Sequence, residues 1–305
     1  MKNLYINKAK EDWVVDRFRD EWNMYNTKSS SNYIFGNKII WIIAPWTWTK
    51  INKSYLKKNK VVCTIHHIDE DKFTANIKKE FFERDRFVDV YHSISNKTTN
   101  QLSKYTNKKI ITIPFWVNQN IWFEIKNKEQ LRKKYSFSNK DYLIGSFQRD
   151  TEGFDLKSPK LSKGPDRFIE IIKELNAKEK NLKVILSGKR RNFVIQNLKM
   201  LDIPFEYYEM STFEKLNELY NILDLYIVAS RYEGGPQSIS ECALTKTPII
   251  STDVGIASDI LSKESIFDMN NFKNAKPNIE YAFKKILDYE IPNGFLKFNE
   301  MFSEL

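Results

Sequence analysis

From Tyr142 onward, short apolar runs alternate with segments of helical period. The runs are Tyr142–Phe147, Leu182–Ser187, Phe205–Tyr208, Leu223–Ala229 and Pro248–Ser251. After the first of them, Phe168, Ile171, Ile172 and Leu175 keep the i, i+3, i+4, i+7 spacing of one helix face. Two more helical stretches cover about Arg190–Leu201 and Thr212–Leu223. Short runs apolar on both faces, each followed by a helix, predict a parallel, doubly wound α/β sheet. The first half repeats the pattern less cleanly. Strand-like runs fall at Ile39–Ile43, Val61–Ile65, Val88–His92 and Ile110–Ile113, with a weak opening strand near Leu4–Ile6. Helices are predicted near Val14–Tyr25, Phe73–Phe82 and Ser95–Tyr105.

A polar, Lys-rich stretch from Asn118 to Lys140 separates the two halves. The expected organisation is a first domain over 1–125, a linker over 126–140 ending in a short helix, and a second domain over 141–292. Near the C-terminus, a helical pattern at Ile279–Tyr289 is broken by Ile291-Pro292-Asn293-Gly294, and an amphipathic piece follows. A proline-marked bend there would let 293–305 return to the first domain.

Composition narrows the class. An apolar content of 41% with 14% aromatics describes packed cores rather than a disordered chain. The N-terminal residues lack the apolar stretch of a signal peptide. The longest apolar run, Ile39–Pro45, falls far short of the roughly 20 residues that span a bilayer. Cys63 and Cys242 form neither a disulfide framework nor a metal-type spacing, so a cytoplasmic, reducing location is expected. The net charge of +10 is unevenly spread: residues 1–140 hold 27 Lys and Arg against 14 Asp and Glu, the remainder 22 against 25. All seven Trp, from Trp13 to Trp122, also lie in the first half. A basic, Trp-rich surface suits an anionic glycan, a lipid-linked acceptor at the inner face of a membrane, or nucleic acid; a soluble Lys-rich face over a Trp core is the plainer alternative.

The chemistry concentrates between residues 223 and 255. After the run Leu223–Ala229 comes a loop with Glu233, Gly234 and Gly235, then Pro236 where a first helical position would be. A helix starting there, beneath Gly234 and Gly235, offers uncommitted backbone N–H groups and the positive end of its dipole, a natural seat for phosphate. Glu233 and Glu241, with seven residues between them, flank that seat. Carboxylates there suit hydroxyl groups of a sugar or ribose better than phosphate. For Glu241 the competing reading is a capping box, Ser238-x-x-Glu241. Arg149, after the first run of the second half, and Lys163-Gly164, before the next helix, would bring cations to the same sheet edge. The long loop between them makes Lys157 and Lys160 rivals of Lys163. Gly188 closes the second run in a Ser187-Gly188-Lys189 turn. His66 and His67 follow Val61–Ile65, with no further ligands spaced to complete a metal site. Trp41, Trp46 and Trp48 would either stack on sugars or lie in the core.

Together these motifs resemble the GT-B glycosyltransferases, most closely the large retaining family 4 group. The resemblance runs over about residues 60–262, with Glu233-GGPQSIS-Glu241, KTPIISTDVG, the Arg149 and Lys163-Gly164 pair, VVCTIHHID and ITIPFWVNQNIWF as its carriers. It implies two Rossmann-like domains facing across a cleft. It also implies transfer of a sugar, of hexose type, from a nucleotide-sugar co-substrate, with retention and without a metal or other cofactor. By position, Glu233 would contact the donor sugar and Glu241 the ribose. The amides of Gly235 to Ser238, with Arg149 and Lys163, would hold the diphosphate, and His66, rather than His67, would be the cleft histidine. The long Arg149–Lys163 loop departs from the pattern, and the opening strand lacks the Gly-rich loop common in the group. Readings from other classes are a non-catalytic binding protein for anionic polymer or nucleic acid, and another GT-B activity such as a phosphorylase or an epimerase.

Overall fold

The computed structural model describes residues 3–11 and 14–305, so Trp13 lies outside the described residues. The chain divides into two compact units: residues up to Phe115 together with Pro292–Leu305, and Trp116–Ile291. Each is built on a six-stranded sheet whose strand pairs are all parallel.

In the first unit the strands are β1 (Leu4–Ile6), β2 (Ser30–Ser31), β3 (Ile39–Ile42), β4 (Lys60–Ile65), β5 (Val90–Ser93) and β6 (Lys109–Thr112), in the order β2-β1-β3-β4-β5-β6. In the second they are β7 (Tyr142–Ser146), β8 (Leu182–Ser187), β9 (Phe205–Tyr208), β10 (Leu225–Val228), β11 (Ile249–Thr252) and β12 (Ile266–Phe267), in the order β12-β11-β10-β7-β8-β9. The apolar runs mark the strands to within two residues at either end. Two-residue β2 and β12 carry no such pattern. They are edge strands that exist because a neighbouring backbone pairs with them. In the second sheet the chain moves from β7 to β8 and β9 on one side, then crosses to β10, β11 and β12 on the other. The strand order therefore reverses between β7 and β10, the point where ligands of such sheets bind.

Residues 116–140 belong to the second unit rather than forming a free linker. Their helix, Lys128–Lys134, is tied to the end of helix Phe213–Ile222. Buried Arg132 donates through Nε and Nη2 to the Ile222 carbonyl at 3.1 and 2.8 Å and pairs with Asp224 at 2.5 Å. A cation at the carbonyl end of a helix is favourably placed against its dipole. Nothing in a Lys-rich pattern distinguishes this arginine from its solvated neighbours.

The tryptophans are core, which corrects the expectation of a Trp-rich surface. Trp22, Trp41, Trp48, Trp116 and Trp122 are fully buried, and among the described tryptophans only Trp46 is exposed. Two of the buried indole N–H groups find hydroxyls inside, Trp22 at Ser30 Oγ and Trp41 at Thr64 Oγ1, both at 2.8 Å. In the first unit the C-terminal helix, Leu296–Ser303, completes this aromatic core. Phe298 lies 5.3 Å from Trp41, 4.9 Å from His92 and 5.8 Å from Phe115, centroid to centroid. His92 is fully buried, accepting from the Thr64 hydroxyl at 2.9 Å and donating to the Ile113 carbonyl at 2.7 Å. Burial pushes its pKa down to about 3, so the ring is neutral. No helix among the described residues is long and apolar enough to cross a membrane.

Two outcomes follow for stability. Phe298→Ala should cost about 3–5 kcal/mol in urea unfolding, the usual range for emptying a buried aromatic site. His92 has a folded-state pKa far below its unfolded value of about 6.5, so its contribution is present above pH ~6.5 and is lost as pH falls toward 3. His92→Gln should flatten that acid limb of a melting-temperature profile.

Candidate active site

At the carboxyl edge of the second sheet, two loops meet on either side of the reversal point. One precedes helix Pro165–Asn176 and carries Lys163; the other follows β10 and carries Glu233. Lys163 Nζ is ion-paired with Glu233 Oε1, and the Ser230 hydroxyl donates to the same oxygen at 3.1 Å. The loops are also joined through the backbone: Arg231 N donates to the Ser162 carbonyl at 2.8 Å. Arg231 then forks onto both oxygens of Asp166 at 2.8 and 2.6 Å, the bidentate geometry that guanidinium suits best. Gln148, just past β7, donates to the Lys163 carbonyl at 3.0 Å.

Glycines make the approach close enough. Gly164 has φ +62°, and a Cβ there would sit 1.9 Å from the Ala229 carbonyl oxygen. Gly255, after β11, has φ +52°, and a Cβ there would come within 2.3 Å of the Gly234 oxygen and 2.9 Å of the Gly235 nitrogen. Both positions demand left-handed backbone and tolerate no side chain. Gly255 is thus a support of the Gly234-Gly235 turn that spacing alone did not single out.

Pro236 is the N-cap of helix Gln237–Thr245, not its first residue, so the helix begins one position later than the sequence implies. Pro236 has no polar side chain with which to cap it, and the amides of Gln237 and Ser238 lie in its first turn. This also removes the capping-box reading, because Ser238 already lies inside the helix. The Glu241 carboxylate is instead buried and accepts from the Tyr220 hydroxyl at 2.8 Å. Burial, with Glu241 beside it, holds the Tyr220 phenol well above its ordinary pKa, so it stays a donor. The Tyr220 ring sits among Phe147, Tyr226 and Trp122.

Arg149 is half-buried beyond β7, where Nε donates to the Thr151 carbonyl at 2.9 Å. Burial and Arg190 both lower its pKa. The long loop that follows is an ordered hairpin closed by a bridge between Thr151 and Pro159. Lys157 stands out on it, exposed. Lys160 is half-buried, and its pKa is lowered by burial first and by Lys163 and Arg149 next, so those three cations share one region with Glu233. Beneath them lies a fully buried pair the motifs did not reveal. Arg191 donates from Nε to Asp150 at 2.7 Å, from Nη1 to the Ser146 and Ser187 carbonyls at 2.6 and 3.2 Å, and from Nη2 to Ser146 Oγ at 3.1 Å. Asp150 also accepts from Thr151 Oγ1 at 2.7 Å, so the pair ties the ends of β7 and β8 to the segment that aims Arg149.

Gly188, with φ +93°, ends β8 next to the Phe147 carbonyl, and its own N–H donates to Glu209 O at 2.9 Å. In the first unit, His66 is half-buried with Nε2 donating to the Ile43 carbonyl at 2.8 Å, which leaves Nδ1 as the acceptor. Its ring stacks on Phe115, and burial lowers its pKa to about 4. His67 is exposed. Among the described residues no group of three or more His, Cys, Asp or Glu could hold a metal ion.

Residues 154–290, all within the second unit, match the family model of glycosyl transferases group 1. The fold is that of the GT-B glycosyltransferases. HepE of Anabaena, solved in complex with UDP-glucose, superposes with a TM-score of 0.79 at 13% identity, covering 100% of both chains. Sucrose-phosphate synthase of Thermosynechococcus elongatus gives 0.71 at 12% identity, over 98% of this chain and 80% of its own. A glycosyltransferase from Rickettsia africae gives 0.65 at 17% identity, over 98% and 83%. No curated protein matches the sequence.

Substitution should separate support from contact. Arg191→Met leaves Asp150 buried without its partner and should destabilise the chain by about 3–5 kcal/mol. Arg191→Met combined with Asp150→Leu should cost less than Arg191→Met alone, read by urea denaturation. Gly255→Ala puts a side chain against the Gly234-Gly235 backbone from a left-handed position and should lower the melting temperature in a calorimetric scan.

Proposed function

We propose that the chain is a retaining glycosyltransferase that moves a hexose from a nucleotide-sugar to a hydroxyl of a glycan or lipid-linked glycan, without a metal ion. One observation carries this reading: Lys163 and Glu233 are paired directly beside a helix N-terminus at the reversal point of the sheet. A donor would be received by exchange. Its diphosphate takes Lys163, together with Arg149 and the amides of Gln237 and Ser238. The sugar hydroxyls then take Glu233, and the ribose hydroxyls take Glu241, whose carboxylate is oriented by Tyr220. The solved complex of HepE with UDP-glucose supports UDP as the first nucleotide to test.

The barrier is departure of an anionic diphosphate from an oxocarbenium-like sugar. Cations and amide dipoles already aimed at that charge lower it, since they need no reorganisation as the bond breaks. The bond from the anomeric carbon to the diphosphate oxygen breaks, the acceptor oxygen bonds on the same face, and the acceptor proton passes to the departing phosphate. Glu241 is committed to Tyr220 and the ribose, so no second carboxylate is assigned to a double displacement of the glycosidase kind. In the first unit, the neutral His66 ring offers an acceptor nitrogen suited to a sugar hydroxyl. The excess of 27 basic over 14 acidic residues in 1–140 supports an anionic acceptor and peripheral association with the inner face of a membrane. Among the described tryptophans only Trp46 is exposed, so Trp offers little surface there for stacking on a sugar or a base alike.

Thermal-shift titration against UDP, GDP, ADP and CMP and their sugars tests the reading. The expected result is stabilisation by one nucleotide and its sugar conjugates, unchanged by chelator. Glu241→Ala should weaken nucleotide binding about 10–100-fold, the scale of a lost charged hydrogen bond. Arg149→Ala should slow transfer about 10²–10³-fold. No stabilisation by any nucleotide would overturn the assignment.

A further inference from the structure

The hairpin between Thr151 and Pro159 is not used by the donor chemistry, yet it is tightly built. Its arms are joined by the Thr151–Pro159 bridge and by Glu152 N donating to the Ser158 carbonyl at 2.9 Å. Its turn is held by Asp155, which accepts from Lys157 N at 3.0 Å, Ser158 N at 3.3 Å and Ser158 Oγ at 2.9 Å. Arg190 braces the base of the turn by donating to the Gly153 carbonyl at 3.3 Å. Gly153 and Leu156 both adopt left-handed backbone, at φ +76° and +53°. For a leucine that conformation is unfavourable and persists only where its surroundings impose it.

What this geometry displays is apolar. Phe154 is fully exposed at the tip, and Leu156 and Leu161 are 41% and 49% exposed. A rigid turn that holds a phenylalanine outward gives up favourable burial unless something else covers the ring. The surrounding charge says what. Lys157 on the hairpin is exposed, and on the adjoining turn Lys189 is exposed and Arg190 reaches the Gly153 carbonyl, against Glu152 and Asp155 of opposite sign. An apolar tip with cations in excess beside it matches a bilayer with anionic headgroups: the ring enters the acyl boundary while the cations stay among the phosphates.

We propose that the Thr151–Pro159 hairpin is the second unit's own contact with an anionic lipid surface, inserted through Phe154 and Leu156 in addition to any attraction of the basic residues in 1–140. This gives the proposed lipid-linked acceptor reading a specific surface in the second unit, and it rests on that reading for its purpose. The contact is weak and reversible, since one aromatic and one aliphatic side chain bury far less than a lipid anchor.

The test uses the full chain. Because Cys63 and Cys242 are both fully buried, a Phe154→Cys variant can be labelled at the tip alone with an environment-sensitive fluorophore. Vesicles of equal phosphatidylglycerol and phosphatidylcholine should shift the emission to the blue, and pure phosphatidylcholine or high salt should not. The double variant Phe154→Ser with Leu156→Asn, which tolerates left-handed backbone, should lose flotation with the anionic vesicles about tenfold or more. Its UDP-induced thermal shift should stay at the unsubstituted level. Flotation unchanged in the double variant would overturn the proposal. So would a label that responds to UDP-glucose but not to vesicles, since the hairpin would then be a cover for the donor. If the chain binds UDP but floats with no vesicle, the lipid contact is wrong while the transferase reading stands.

Discussion

The close passage of one backbone beneath another at Gly164 is the constraint on which the site depends. The chain turns there from the Lys163 loop into helix Pro165–Asn176 directly against the Ala229 carbonyl at the end of β10. Any side chain would push the two apart by more than an ångström, and Lys163 would no longer reach Glu233. Gly255 imposes the same condition on the other flank, against Gly234 and Gly235. The ion pair, the Arg231–Asp166 fork and the helix N-terminus are held in register by these two contacts and by the sheet beneath them.

That arrangement explains a division of labour among charged groups. Lys163, Arg149 and Lys160 lie at the edge of the sheet with part of their surface open, where an anionic ligand can reach them. Arg191 and Asp150 lie beneath, wholly enclosed, with their hydrogen-bonding groups turned on each other and on strand-end carbonyls. A buried pair of this kind contributes little net stability compared with apolar residues of the same size, but it commits the segment it ties to one geometry. Glu241 follows the same logic on a smaller scale. Its carboxylate is enclosed and oriented by a phenol, whereas Glu233 faces a cation that a ligand can displace.

The two units stand differently toward chemistry. The second holds the paired charges, the helix N-terminus and the matched family region. The first holds a basic surface over an aromatic core that the C-terminal helix completes. His66 and His92 are neutral because burial lowers their pKa and each ring is bonded to a backbone carbonyl, so they offer hydrogen bonds rather than charge.

The alternation of apolar runs and helical faces was enough to determine two parallel α/β sheets, since strands buried on both faces leave no polar positions. The sequence also marks Glu233-Gly234-Gly235-Pro236 and Glu241 as site candidates, because backbone needs and hydrogen-bonding capacity are properties of residue type. Other features were decided only by tertiary structure. The edge strands β2 and β12 exist through pairing, not pattern. The buried roles of Arg132 and Arg191 depend on carbonyls and carboxylates far away in sequence, and a lone arginine looks the same whether solvated or enclosed. Five of the six described tryptophans are core, and a Trp in the sequence does not say whether its indole N–H will find an internal partner, as Trp22 and Trp41 do at the hydroxyls of Ser30 and Thr64. Gly255 acquired its role from a neighbour more than twenty residues earlier. Local sequence specifies what a segment can become; which cation meets which anion depends on loops brought together by the sheet.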